Sequence, residues 1–362
     1  MIADREQIYT AVRAVDVGYH GVKYTLGRKQ RGDSLPIAAA MFPSLAPRLQ
    51  STANYETPAV RKADGCVVDV DGVRFFVGRE AAFSSTGTEP RPVLDDYAKT
   101  PRYLAFFRGA LHYMLVDAGN PAELVIGHAV LGLPMTTWAA HRTELTQRIL
   151  GEHIIPAPGG GARRVTIEHA HVIPQPHGAL LNYSASHEGQ VEGWTLVADI
   201  GGGTLDWYCG MKGGVNWERC GAHNKAMLAC AAALATALGH EDWLDQFEVM
   251  EWIDDAIRTG KESVVVQGVE YELAPHRAAV DAVLEESVEK MLAKVGPLGN
   301  IKRILLTGGG APVFDDFIRR EYKQLVPLLV DVSDAIYSNV RGFQVYGELQ
   351  HAKQEAANGT SR

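Results

Sequence analysis

The stretch Trp194-Thr195-Leu196-Val197-Ala198-Asp199-Ile200-Gly201-Gly202-Gly203-Thr204-Leu205-Asp206 decides how the rest of the chain is read. Its apolar run, Leu196 to Ala198, is that of a buried strand, which delivers the Asp199 carboxylate to the head of a tight glycine loop. Thr204 to Cys209 then leaves as a second extended segment. Glycine lacks Cβ, so the backbone turns sharply and presents bare N–H groups to an anion. A carboxylate beside such a loop repels a naked phosphate unless a divalent cation lies between them. Mg²⁺ suits that position, because it keeps several waters and is held by one or two carboxylates together with phosphate oxygens. Taken alone, the stretch also fits a glycine-rich β-turn that binds nothing.

Related patterns stand on either side. Ala11 to Val17 reads as a strand, followed by Gly18-Tyr19-His20-Gly21-Val22-Lys23. The N–H groups of this turn can face a phosphate, Lys23 can reach it as a point charge, and Asp16 can hold a metal-bound water. A hairpin turn with a surface lysine is the equal alternative. Downstream, Ile301 to Leu306 is a buried strand running into Thr307-Gly308-Gly309-Gly310-Ala311-Pro312, with a helix starting at Pro312. Bare backbone at a helix N-terminus suits a phosphate or the edge of a base. Gln175, between Pro174 and Pro176, has a restricted backbone that suits a side chain aimed at a water, although a simple turn is the more ordinary reading. Gly27 to Ser34 nearly fits a P-loop, but Asp33 stands where the lysine belongs and no helical pattern follows.

Composition narrows the class. The chain of 362 residues exceeds what one core usually organises, so two lobes are expected. Hydrophobic content of 46% and charged content of 22% are those of a soluble globular enzyme. A net charge of −8, from 35 basic and 43 acidic residues, gives no footprint for direct nucleic-acid binding, so a DNA connection would run through a partner. Cys66, Cys209, Cys220 and Cys230 form no CxxC pair, which argues for reduced cysteines. The N-terminus lacks a signal-peptide apolar region, and the most apolar run, Ala226 to Leu238, is too short to span a bilayer. A cytoplasmic protein without a membrane partner is expected. His153, His169, His171 and His177 alternate as on strands and form no HxxxH pair, which argues against a metal centre there.

The remaining elements follow from periodicity and turn signals. Ser34 to Pro58 reads as an irregular loop, and Cys66–Val70 with Val73–Val77 as a hairpin about Asp71-Gly72. Helices are expected over Pro101–Leu115, up to Leu150 from an N-cap at Thr136 or Thr137, over the alanine-rich Gly221–Leu238, and over Asp242–Ile257, Pro275–Val295 and Ile336–Leu349. Strands are expected at Glu123–Gly127, Val130–Leu133, Arg164–Ile173 and Val215–Arg219, with hairpin tips at Gly159–Gly161 and Gln267-Gly268. His351 to Arg362 reads as a polar tail.

Taken in order, these loops resemble the actin, DnaK-type chaperone and hexokinase ATPase superfamily. The first phosphate loop matches Asp16–Lys23, the second Asp199–Asp206, and the adenosine loop Leu306–Ala311, with hinge segments at Pro174–Ala179 and Ser338–Phe343. Chain length and the segment Asp71–Ala82 are similar to the bacterial ParM/StbA group of plasmid-segregation filament proteins. The resemblance implies an α/β, two-lobed actin-like fold (ribonuclease H-like, duplicated) with a nucleotide cleft between the lobes. Lobe I would hold residues 1–185 and 336–350, lobe II 186–335, and 351–362 a flexible tail.

It also implies ATP or ADP with Mg²⁺ as cofactors, and ATP hydrolysis coupled to polymerisation. Asp16 and Asp199 would hold waters of the metal. Gly18, Tyr19, His20, Lys23, Gly201, Gly202, Gly203 and Thr204 would surround the phosphates, and Gln175 would orient the attacking water. Actin has Gln at that place and ParM-type members often Glu, which leaves the hydrolysis rate open. Gly308, Gly309 and Gly310 would pass the adenosine and α-phosphate, with Gly221 and Lys225 near the ribose. Expected partners are copies of the chain and a DNA-binding adaptor of ParR type. A small-molecule kinase is the first alternative, but it needs an acidic base where Gln175 stands. A non-polymerising chaperone or adaptor ATPase is the second, and no substrate domain follows the ATPase region.

Overall fold

The computed structural model describes residues 7–30, 36–49, 63–85, 94–157, 161–189 and 191–359. Two sheets dominate. The first is built from β1 (Gln7–Val17), β2 (Gly21–Arg28), β3 (Ile37–Pro43), β6 (Glu123–Leu133), β7 (Gly151–Pro156) and β8 (Ala162–Pro174), in the order β3-β2-β1-β6-β8-β7. A hairpin of β4 (Cys66–Val70) and β5 (Val73–Val77) stands beside it. The second sheet has the order β11-β10-β9-β15-β16, from β9 (Trp194–Ile200), β10 (Leu205–Met211), β11 (Gly214–Val215), β15 (Ile301–Thr307) and β16 (Leu329–Val330). The short β12 (Gly221–His223) also pairs with β10, and β13 (Ser263–Val266) with β14 (Val269–Glu272) forms a separate hairpin.

The centre of each sheet repeats one plan. β1 pairs antiparallel with β2 and parallel with β6, and β9 pairs antiparallel with β10 and parallel with β15. Both central strands are apolar on both faces: Val12, Ala14, Val15 and Val17 are buried in one, Leu196, Val197, Ala198 and Ile200 in the other. Strands covered on both sides need such runs instead of alternation. The two hairpin turns therefore emerge at corresponding sheet ends.

Eight helices cover the sheets among the described residues: α1 (Pro101–Asp117), α2 (Met135–Ile149), α3 (Gln175–Ser186), α4 (Met227–Ala237), α5 (Phe247–Thr259), α6 (Arg277–Val295), α7 (Ala311–Glu321) and α8 (Ser338–Gly359). Thr100 caps α1, its hydroxyl accepting from the Tyr103 N–H at 3.2 Å, with Pro101 in the first turn. Helix α5 ends at Gly260, which is left-handed at φ 66. Helix α3 packs against β9, β10 and α8, while α8 lies across β1 and β6. The two helices cross at Gly178 and Gly342, where a Cβ on Gly342 would stand 1.6 Å from the Gly178 carbonyl oxygen. Phe343 wedges beside the crossing with Ala14, Val130, Ile173 and Val340 as a small core of its own.

Several expectations are corrected. Residues 37–43 form an edge strand, not a loop, because β2 supplies a ladder for an Ala-rich segment of weak strand preference. Residues 34, 35 and 50–58 of that loop lie outside the described residues. Glu123 to Leu133 is one unbroken strand, since β1 and β8 pair with it along its length. Helix α2 starts at Met135 behind Pro134 and has no side-chain cap from Thr136 or Thr137. Val215 to Arg219 divides into two-residue β11 and a 3₁₀ turn at Trp217–Arg219. Gly221 to His223 is strand, so the alanine-rich helix begins only at Met227. Helix α5 begins at Phe247, with Trp243 in a preceding 3₁₀ turn, and Pro275 likewise precedes α6. The Gln267-Gly268 hairpin is present, with both residues at positive φ. Strands β7 and β8 are antiparallel, as a tip near Gly161 requires; residues 158–160 lie outside the described residues. The last helix runs on to Gly359, through most of the segment read as a tail.

Candidate functional site

The turns after β1 and β9, and the one after β15, converge on one cleft enclosing about 900 Å³, its open mouth included. Asp16 and Asp199 occupy equivalent places at the ends of the two central strands, opposite Lys23 on β2 and Asp206 on β10. Both aspartates line the cleft and both are buried, 3% and 6% exposed. Gly18 N–H donates to the Gly21 carbonyl at 3.2 Å and closes the first turn. The second turn is tied to the start of α4, where Leu228 N–H donates to the Gly202 carbonyl at 2.8 Å. A Cβ on Gly202 would lie 3.2 Å from His20 Cβ, so the first two turns face each other closely. Gly308 has φ +85, and a Cβ there would be 2.3 Å from the Ile200 carbonyl and 2.7 Å from Asp199 Oδ1. Only glycine lets the third turn pass against the second.

Each carboxylate is held by an amide. Gln175 Nε2 donates to Asp16 Oδ1 at 2.8 Å, and Asn339 Nδ2 donates to Asp199 Oδ2 at 2.7 Å. Lys23 Nζ stands 3.5 Å from Asp16 Oδ2, and the Thr307 hydroxyl donates to Asp199 Oδ1 at 3.4 Å. Burial, then the charge of Asp16, pushes the Asp199 carboxyl up to about 6, against the pull of Asn339 and Lys23. Asp206 accepts from Met135 N–H and from the Thr204 hydroxyl, each at 2.6 Å, which joins β10 to the start of α2. Burial nevertheless raises its carboxyl to about 7. Tyr19 is occupied elsewhere: its ring stacks on Tyr97, and its hydroxyl donates to the Leu94 carbonyl at 2.9 Å. That leaves its backbone for the cleft.

The donor set tests which group fits. Two buried carboxylates of like charge, beside the buried and unpartnered Asn339 Oδ1, make an all-oxygen set suited to a hard cation such as Mg²⁺. Among the described residues, the one His/Asp/Glu triad close enough to ligate a metal is His20, Glu251 and Asp254. There the Arg258 guanidinium already stands 2.6 Å from Asp254 and 3.1 Å from His20 Nε2, filling the place of a cation. The four histidines weighed from sequence are dispersed. His153 meets the Ile149 carbonyl at 2.9 Å, His177 stacks on Tyr208, and His169 and His171 pack around His128.

Gln175, Asp16, Asp199, Gly18, Tyr19, His20, Lys23, Gly201 to Thr204 and Gly308 to Gly310 thus share one cleft. Gly221 and Lys225 lie outside its lining. Gly221 pairs with Trp207 in the sheet, and Lys225 Nζ is 2.6 Å from Glu286 Oε2. Asn339, Arg258 and the Asp206 bridge carry no sequence motif that marks them as groups of the site. Asn339 falls in the segment expected as last helix and hinge, and Arg258 one residue past the expected end of its helix, which runs on to Thr259.

Residues 14–178 match the family described as actin like proteins N terminal domain. No curated protein matches the chain by sequence. Solved structures of similar fold include an archaeal actin homologue, Ta0583, in complex with ADP. It is 18% identical with a TM-score of 0.66, over 94% of this chain and 100% of that one. A Bacillus thuringiensis ParM with AMPPNP is 14% identical with a TM-score of 0.61, over 93% and 98% of the two chains. A 15-stranded ParM filament from Clostridium botulinum is 16% identical with a TM-score of 0.67, over 93% and 99%. The first half of the chain thus matches an actin-like N-terminal domain, and the fold over nearly the whole length is that of actin-like proteins, ParM-type ones among them.

Proposed function

We propose that the chain is a Mg²⁺-dependent ATPase that assembles into filaments under nucleotide control. One observation carries the reading: two carboxylates from equivalent strand ends of the two sheets face a single cleft walled by three glycine turns. The domain limits follow as part of the proposal, residues 1–185 with the final helix around the first sheet and 186–335 around the second. The similar folds solved with ADP, with AMPPNP and as a filament support the same reading.

In this reading the amides of Gly18, Tyr19, Gly202, Gly203 and Thr204 donate to phosphate oxygens, and Lys23 leaves Asp16 to meet the γ-phosphate. Asp16 and Asp199 would hold the waters of Mg²⁺, which when bound would supply charge neutralisation on the phosphates. Gln175, fixed through its Nε2 on Asp16, keeps Oε1 to accept from the attacking water and aim it. Arg258 lines both the phosphate cleft and a neighbouring cavity walled by Leu284, Pro312 and Val313. That cavity takes the base, and Arg258 stands over the nucleoside between the two.

A non-polymerising chaperone or adaptor ATPase would use the same site. A small-molecule kinase is disfavoured because the position for its acidic base carries Gln175, an amide and a poor base. Plasmid DNA segregation in the cytoplasm, through a DNA-binding adaptor, is the biological role that fits a filament of net charge −8. Sedimentation in ATP against ADP, alongside phosphate release, tests the reading. Pelleting in ATP with phosphate release is expected, and Asp199→Ala abolishes both. Full turnover by Asp199→Ala would overturn the site assignment, and ATP turnover without pelleting would favour the chaperone-like alternative.

A further inference from the structure

The two halves of the site are built on one pattern that extends to their amides. Gln175 opens α3 and Asn339 lies in the first turn of α8, and each donates to the aspartate of a central strand. Their helices cross at Gly178 and Gly342 with no room for a side chain, so the two first turns are locked together as one unit. Asn339 differs from a simple structural partner in one respect. It is 5% exposed, it lines the cleft, and its Oδ1 has no hydrogen-bond partner. A buried amide oxygen without a donor is costly. Its orientation is fixed by chemistry, because an ionised Asp199 only accepts and so selects the Nδ2 side. The orphan oxygen is left as an acceptor beside the carboxylate that faces the cleft.

Resting on the nucleotide reading above, we infer that Asn339 is a positioning residue for the metal-bound nucleotide. Its N–H₂ orients the Asp199 carboxylate, while its Oδ1 accepts from a water in the shell of Mg²⁺. Asn339 thereby does for the second sheet's aspartate what Gln175 does for the first. The contact is also one between halves, since α8 lies on the first sheet and Asp199 belongs to the second.

The test is equilibrium binding of a fluorescent ATP analogue to the full chain, in excess Mg²⁺ and in EDTA, for the wild type, Asn339→Leu and Asn339→Ser. Leu keeps the branched outline and removes both hydrogen-bonding atoms; Ser remains should Leu prevent folding, as judged by circular dichroism. Outer-shell partners of metal sites are worth about 10- to 100-fold in affinity. Weakening of that size in Mg²⁺, with binding in EDTA unchanged, is expected. Equal weakening under both conditions means Asn339 only holds the hinge, and unchanged binding in Mg²⁺ means it does nothing for the ligand; either overturns the inference. Failure of the wild type to bind in either condition would instead remove the nucleotide reading and this inference together.

Discussion

Asp206 occupies on β10 the register position that Lys23 occupies on β2, and it is 1% exposed. One half of the repeat spends that position on a cation, the other on a bridge between strand and helix. Burial raises the Asp206 carboxyl from 3.8 to about 7, so the folded chain binds this proton more tightly than the unfolded one. The resulting stability is fully present below the unfolded value and is lost as pH rises through about 7. Asp206→Asn carries no such loss. Its stability relative to wild type, in EDTA and without nucleotide, should therefore climb from about pH 5 to about pH 8. Denaturant midpoints of the two proteins across that range measure it, and parallel curves would count against the buried-proton account. At this scale the sequence was legible where residue type and turn coincide, as at Asp16 and Asp199. Asn339 was not, because its partner lies 140 residues away and only the fold brings them together.

Among the elements, the crossing of α3 and α8 makes the sharpest demand on side-chain size. A methyl group at residue 342 would meet a backbone carbonyl, which cannot swing aside as a flexible side chain can. Gly342→Ala should cost at least the roughly 1–3 kcal/mol usual for overpacking, read as a lowered urea midpoint. An unchanged midpoint would mean that the helices separate readily. Nothing in the sequence around Gly342 says which backbone it passes against. The central strands were legible because their apolar runs end in glycines. The Ala-rich strand β3 and the three-residue β12 were not, since neither has a pattern of its own and each exists by pairing with a longer neighbour. The merged final helix escaped for a related reason. Its last turns are polar, yet Gln354 bridges His128 and His169 on the first sheet and gives them an anchor.

The whole molecule holds its halves together at places well separated in sequence. Trp138 on α2 stacks on Trp217 of the second half, with ring centroids 5.5 Å apart and planes 6° from parallel. Phe247 at the head of α5 packs against Leu45, Phe76 and Ala81 of the first half. If nucleotide binding alters the spacing of the halves, the stacked indoles report it. Addition of Mg²⁺ and ATP should shift tryptophan emission in the wild type and much less in Trp217→Phe. An equal shift in both proteins would place the movement elsewhere. No helix among the described residues is long and apolar enough to cross a membrane.

Helix α8 has a consequence at this same scale. Its 22 residues make a rod about 33 Å long, anchored at one end beside Asp199 and towards the other on the imidazoles of His128 and His169 in the first sheet. A rod pivoting by about 5° at one end travels about 3 Å at the other, given that length. Leverage of this kind turns a rearrangement the size of one water molecule into a displacement that a docked neighbour can feel.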